Sequence, residues 1–134
     1  MKILLIEDEK DLAKSIVDFI NSENYLIITV HNYSDADEKI SQNHYDCALV
    51  DLMLPDGSGL DLVKKIKQIQ PNCGIIIITA KNTLDDKLNG LDLGADDYIS
   101  KPFHLAELNA RIKSVIRRRN FGGDNQIIFN ELKI

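Results

Sequence analysis

Short apolar runs bounded by turn residues recur along this chain: KILLI at 2–6, LIITV at 26–30, CALV at 47–50, GIIIIT at 74–79 and the shorter DYIS at 97–100. Runs of this length without polar alternation read as strands buried on both faces. Between them lie segments with helical spacing. Residues 10–22 carry Leu12, Ile16, Val17 and Ile20, and residues 59–70 carry Leu62, Val63, Ile66 and Ile69. Residues 84–93 place Leu84, Leu88 and Leu91 on one face. Residues 104–119 carry Leu105, Leu108, Ile112, Val115 and Ile116 as an inward stripe. The polar segment 34–42 predicts a further helix with Ser34 as its N-cap. Pro71 follows the third helix, and Gly94 fits the residue after the end of the fourth. Five strands alternating with five helices predict an α/β fold, a parallel sheet covered by helices on both faces.

A chain of 134 residues holds one such domain and at most a fragment of a second. Its 44% hydrophobic content fills a single core, and 28% charged residues suit a soluble surface. The formal charge of −5 argues against nucleic acid as the partner of this segment itself, because phosphate contacts need clustered Lys and Arg. No apolar run approaches the roughly 20 residues that span a bilayer, so no membrane partner is expected. The opening MKILLIEDE runs into acids too soon for a secretory signal. Cys47 and Cys73 have no metal-ligand spacing and predict reduced thiols in a cytoplasmic protein. His31, His44 and His104 are isolated.

In a sheet of this kind, ligands bind outside the carboxyl ends of the strands, where the strand order reverses. The first strand ends in Glu7 and Asp8, the third in Asp51, the fourth in Thr79 and the fifth in Lys101. Taken singly, each is an ordinary turn, cap or surface residue. Taken together at one edge, they place three carboxylates, a hydroxyl and an ammonium in one pocket. Three carboxylates repel one another and call for a divalent cation, and an all-oxygen site suits Mg²⁺ or Mn²⁺ better than Zn²⁺. A carboxylate is also a nucleophile that forms an aspartyl-phosphate. Phosphoryl transfer then needs the metal, a cation and a hydrogen-bond donor around the phosphoryl oxygens; Lys101 and Thr79 supply the last two.

The segments LLIEDE, LVDLMLPDGSGLDLV, IIIITA and GADDYISKPF resemble the receiver domain of bacterial two-component response regulators over residues 1–119. The resemblance implies a flavodoxin-like, doubly wound, five-stranded parallel sheet with five helices. It makes Asp51 the phosphoacceptor for a sensor histidine kinase and Asp8 and Asp51 direct Mg²⁺ ligands. Glu7 would act through a metal-bound water, and the backbone carbonyl of Met53 would be a further ligand. Thr79 becomes the switch hydroxyl, Lys101 the phosphate partner and Tyr98 the switch aromatic, with a cis Lys101–Pro102 peptide. Glu9 lies in the acidic cluster without being expected as a ligand. The implied protein is a signalling switch and not an enzyme in its own right.

The stretch GADDYISKPFHLAELNARIKSVIRRR is similar to the OmpR/PhoB group of transcription factors, which dimerise through the fourth helix, fifth strand and fifth helix. That similarity implies a homodimer with cross-dimer pairs Lys87–Glu107, Asp97–Arg111 and Asp96–Arg118. On a helical wheel, Glu107, Arg111 and Arg118 fall on one side of the last helix. Asn109 departs from the small or apolar residue expected beside them. Residues 120–134 change character: Gly122 to Asn125 predict a linker, and Ile127–Ile134 a strand with nothing here to pair with. By the same similarity they begin a truncated C-terminal winged-helix effector domain, through which alone DNA would be bound. Three rivals compete with this reading. A phosphatase with an aspartate nucleophile wants a second acid two residues on, where Met53 stands. A flavin mononucleotide carrier would need a Ser/Thr/Gly phosphate loop where EDEKDLA stands. A stand-alone receiver would signal through protein contacts without DNA.

Overall fold

Alternation of period two decides how the strands of this protein are covered. In the computed structural model, which describes residues 1–21 and 24–128 (residues 120–128 by backbone alone), the elements run in the expected order. They are β1 (Lys2–Ile6), α1 (Lys10–Ile20), β2 (Leu26–Val30), α2 (Tyr33–Gln42), β3 (Cys47–Val50), β4 (Met53–Leu54), β5 (Gly57–Ser58), α3 (Gly59–Ile69), β6 (Gly74–Thr79), α4 (Leu84–Asp92), β7 (Asp97–Ser100) and α5 (Leu105–Ile128). Ile3, Leu5, Cys47, Leu49, Ile76 and Ile78 face one side of the sheet, against Ile16 and Ile20 of α1 and Leu108, Ile112 and Val115 of α5. Leu4, Ile6, Ala48, Val50, Ile75 and Ile77 face the other, against Ala36 and Ile40 of α2 and Leu62, Val63 and Ile66 of α3. Every residue of β3 and β6 is buried, as a strand without polar alternation requires.

The large sheet has the order β2-β1-β3-β6-β7, and all its pairings are parallel. From β1 the chain first winds outward to β2, then returns to β3 on the other flank of β1. The order therefore reverses between β1 and β3, and the crevice beyond their carboxyl ends is the natural ligand position. Ile6 is level with Val50, and Val50 with Ile77. Glu7 and Asp51 thus leave the sheet side by side. Among the described residues no helix is long and apolar enough to cross a membrane.

Local chemistry corrects several boundaries. The N-cap of α2 is Asn32, whose side chain accepts from Asp35 N–H, so the helix begins before the expected cap Ser34. Gly94 adopts φ +114 just beyond α4, the left-handed conformation that favours glycine after a helix. Leu84, Leu88 and Leu91 do share a face, but that face is exposed; the buried residue of α4 is Gly90. A β-carbon there would sit 2.6 Å from Ile77 Cδ1 and 3.2 Å from the Tyr98 ring, so the helix rests on the sheet through its smallest residue. Helix α5 begins at Leu105 and continues through the Gly-Gly pair that predicted a linker, ending at Ile128. Ile127 and Ile128 are helical where a strand was expected, and the rest of that expected strand lies outside the described residues. The two short strands β4 and β5 form an antiparallel hairpin directly after Asp51, which the sequence did not foreshadow. Both cysteines are free and buried.

Candidate metal and phosphoacceptor site

The carboxyl edge of the sheet gathers the acids as its topology dictates. Glu7, Asp8 and Asp51 each offer an oxygen, and these atoms lie within 4.8 Å of one another. Glu7 is fully buried and Asp51 nearly so, while Asp8 is exposed. Asp51 Oδ1 accepts a hydrogen bond from Met53 N–H at 2.9 Å. Its Oδ2 accepts one from the Lys101 ammonium at 2.9 Å. Glu7 Oε2 accepts from Glu9 N–H at 3.0 Å and from Lys101 at 3.1 Å. Lys101 also donates to Glu9 Oε2 at 2.7 Å. The lysine directly follows β7 and is joined to Pro102 by a cis peptide, as the resemblance implied.

One ammonium thus faces three carboxylates, and it cannot neutralise them all. Burial pushes the Glu7 carboxyl up from 4.5 to about 7, even though the Glu9 amide and Lys101 pull the other way. Burial alone would lower the Lys101 ammonium, but its hydrogen bonds to Glu9, Asp51 and Glu7 outweigh that and raise it. Glu7 Oε1 lies 3.0 Å from Lys101 Nζ yet is buried without a hydrogen-bond partner. A buried carboxyl oxygen with an ion-pair contact but no hydrogen bond, beside two more carboxylates that share the same ammonium or none, fits a hard divalent cation, which takes oxygen ligands and supplies the missing charge. Glu9 is the participant that sequence reasoning set aside. Its role here is to hold Lys101, and its position two residues after Glu7 was the available signal.

Thr79 ends β6 fully buried, and its hydroxyl accepts from Lys81 N–H at 3.4 Å. The Tyr98 hydroxyl donates to the carbonyl of the same Lys81. Its ring is partly buried against Ile77 and Gly90. Burial, then the charges of Asp86 and Asp51, push the Tyr98 phenol up to about 12. The threonine and the tyrosine therefore grip the two sides of one loop residue.

The charges expected at an interface surround a surface groove of about 640 Å³ lined by Asp96, Asp97, Glu107, Arg111, Ser114 and Arg118. Within one chain, Arg111 binds both oxygens of Asp97, at 3.0 and 2.8 Å, and Glu107 at 3.2 Å. Asp96 is held by Arg119, at 2.9 Å to each oxygen, and not by Arg118. Arg118 instead donates to Ser114 O at 3.4 Å. Lys87 is half-buried on α4. Asn109 is half-buried on α5, and its carbonyl oxygen is buried without a partner.

A doubly wound parallel sheet with a carboxylate cluster at its switch point, held by a lysine that follows the edge strand and with a threonine ending the strand between, defines a class of acidic-pocket α/β domains. Residues 3–113 match the model of the response regulator receiver domain, and the chain belongs to that family. It is 39% identical to the transcriptional regulatory protein BasR of Escherichia coli over 134 residues, which is all of this chain and 60% of BasR. It is 46% identical to the response regulator ArlR of Staphylococcus aureus over 118 residues, 88% of this chain and 53% of ArlR. A two-component response regulator from Clostridium difficile has the same fold at a TM-score of 0.84 and 36% identity, covering 90% of this chain and 98% of that one. The chain therefore spans little more than half the length of these curated relatives.

Proposed function

We propose that this chain is the phosphoacceptor part of an OmpR/PhoB-type response regulator, with Asp51 receiving a phosphoryl group from a sensor histidine kinase. The observation that carries this reading is the placement of Asp51: buried, at the switch point, and held through both oxygens by Met53 N–H and Lys101. In the transfer, an Asp51 carboxylate oxygen attacks phosphorus, the phosphorus–nitrogen bond of the donor phosphohistidine breaks, and its electron pair returns to the imidazole. Glu7, Asp8, Asp51 and the Met53 carbonyl would hold Mg²⁺, which when bound screens the phosphoryl oxygens and the acids from one another. Lys101 exchanges part of its contact with Glu7 and Glu9 for a phosphoryl oxygen. A groove of about 480 Å³ lined by Leu12, Ala80, Pro102 and Phe103, with Glu9 and Lys101 beside them, gives a donor access to this edge.

The new charge, about two negative units, is answered by the Thr79 hydroxyl, which gives up Lys81 N–H to donate to the phosphoryl group. Lys81 then keeps the hydrogen bond of its carbonyl to Tyr98, so the loop before α4 and the Tyr98 ring shift together. The exposed leucines of α4 and the charges of β7 and α5 form the face that pairs with a second copy. The cross-dimer pairs Lys87–Glu107, Asp97–Arg111 and Asp96–Arg118 are then formed by exchange with the within-chain partners. The output is transcription control, with DNA bound by a winged-helix domain beyond residue 134, in a cytoplasmic protein. Names of relatives such as the transcriptional regulatory protein BasR support that output. The test is chemical mapping. After incubation with a small acyl-phosphate donor and Mg²⁺, reductive trapping of the acyl phosphate should mark the peptide containing Asp51. A mark on any other carboxylate contradicts the assignment.

A further inference from the structure

The hairpin after Asp51 is tied to an element that the site does not otherwise use. Asp56, at the tip between β4 and β5, accepts from Tyr33 N–H at 2.6 Å and from Ser34 N–H at 3.1 Å. These are the first two amides of α2, which have no partner within their own helix. Asn32 serves the third, from Asp35, so Asp56 completes the cap from 23 residues away. The hydrogen bond from Tyr33 N–H, opposed in part by burial, leaves the Asp56 carboxyl below its ordinary range. The next residue, Gly57, lies against the Tyr33 ring so closely that a β-carbon would come within 2.7 Å of it. At the other end of the hairpin, Met53 N–H donates to Asp51 Oδ1. The start of α2 also adjoins β1: His31 Nδ1 lies 2.9 Å from the Glu7 carbonyl oxygen.

We infer that Asp56 is a positioning residue, which docks the β4–β5 hairpin on the N-terminus of α2 and thereby fixes the Met53 peptide at Asp51. The hairpin has only the two residue pairs Met53–Ser58 and Leu54–Gly57 of its own, too few to hold a backbone in place without support. Its far end is anchored by Ser58, which caps α3, and by Gly59 N–H, which donates to the Leu52 carbonyl at 3.0 Å. The near end carries Met53, whose peptide bond to Leu52 is pinned by that same Gly59 N–H and whose neighbour Leu54 packs on the core, and the tip contact with α2 adds a restraint from the side. A carboxylate that accepts two consecutive amides sets both position and orientation. The field of the helix N-terminus favours its charge. This inference rests on the reading of the pocket as a metal-assisted phosphoacceptor site, because Met53, placed through its N–H, is the residue whose carbonyl, in the following peptide, would join Asp8 and Asp51 on Mg²⁺.

The experiment titrates Mg²⁺ into the chain, its Asp56→Ala variant, its Asp56→Asn variant and an Asn32→Ala control, following backbone amide resonances. Asp56→Ala should move the Met53 amide resonance in ion-free protein and weaken Mg²⁺ by roughly tenfold, the low end for residues supporting metal ligands. Asp56→Asn keeps one acceptor oxygen and should recover part of both. Asn32→Ala removes a cap from the same helix and should cost about 1 kcal/mol of stability, yet leave the Met53 resonance and the Mg²⁺ affinity unchanged. An unmoved Met53 resonance in Asp56→Ala, or equal shifts in Asn32→Ala, would reduce Asp56 to a helix cap. Parent protein that binds no Mg²⁺ would contradict the metal reading itself, and the Met53 resonance would still decide whether Asp56 positions the hairpin.

Discussion

Lys101 reaches Asp51 at 2.9 Å from across the sheet edge, and it does so while also holding Glu7 and Glu9. A buried carboxylate at the end of an apolar strand is costly unless something compensates its charge, and Lys101 supplies that compensation from the protein itself. The same ammonium is the cation a phosphoryl group would need, so one residue stabilises the resting pocket and is positioned for the charged one.

Removing that ammonium should destabilise the resting state. Lys101→Met leaves Asp51 and Glu7 buried without their cation, a loss on the order of 3 kcal/mol for a broken buried pair. Urea unfolding with a chelator present should show this loss, and saturating Mg²⁺ should recover most of it. A variant as stable as the parent without metal would mean that the acids are compensated in another way.

The pH dependence follows from Glu7. Its carboxyl titrates near 7 in the folded chain against an ordinary 4.5, so the folded state holds the proton more tightly. The contribution from neutral Glu7 is whole below about 4.5 and is lost as the pH climbs through about 7. Stability of ion-free protein measured across that window should therefore carry a falling component with rising pH. Glu7→Gln should remove it and leave the protein more stable than the parent above neutrality. Identical slopes in the two proteins would show that Glu7 is ionised throughout.

Gly59 sets a steric limit behind the acceptor. A β-carbon at this position would lie 2.2 Å from the Asp51 carbonyl oxygen and 2.8 Å from Leu52 Cα. Both are backbone atoms, so a contact this short must push the acceptor loop itself. Gly59→Ala should cost about 1–3 kcal/mol in urea unfolding and lower the extent of phosphorylation by a small donor. Full labelling at parental stability would show that the loop absorbs the methyl group without moving Asp51.

The fold was legible because each strand lacks polar alternation and each helix shows its own period; β3 and β6 could be nothing but interior strands. The site was legible because a parallel sheet places all strand ends at one edge, which made Glu7, Asp51 and Lys101 neighbours before any distance was known. What stayed hidden depends on contacts between residues distant in the chain. Asp56 looks like a turn residue and is also the cap of a helix 22 and 23 residues earlier. Arg119 rather than Arg118 takes Asp96, because residue 119 falls on the side of α5 nearer the sheet, while 118 faces outward. On α4 the leucine stripe looked like a core face, but Gly90 lets the opposite side approach the sheet and leaves Leu84, Leu88 and Leu91 exposed. The Gly-Gly pair after Arg119 reads as a break, yet the helix passes through it. A local glycine preference of about 1 kcal/mol per residue is weak beside helix continuity.

Association should follow phosphorylation. Exposed ion pairs are worth about 0–1 kcal/mol each, so a dimer held by Lys87, Asp96, Asp97, Glu107, Arg111 and Arg118 needs several of them, repeated by two-fold symmetry, and the α4 leucines besides. Sedimentation with a beryllofluoride phosphate mimic and Mg²⁺ should show monomers moving toward dimers. Added salt should weaken them, and Arg111→Glu should prevent them by setting two acids against Asp97. A chain that stays monomeric at high concentration with the mimic bound favours a stand-alone receiver that acts through other proteins.

The central claim is that Asp51 accepts the phosphoryl group, and intact mass spectrometry tests it most directly. Parent protein and Asp51→Asn are treated alike with a small phosphodonor and Mg²⁺. The parent should gain the mass of one phosphoryl group and the variant none. Equal gains in both proteins would contradict the account and move the acceptor to another residue.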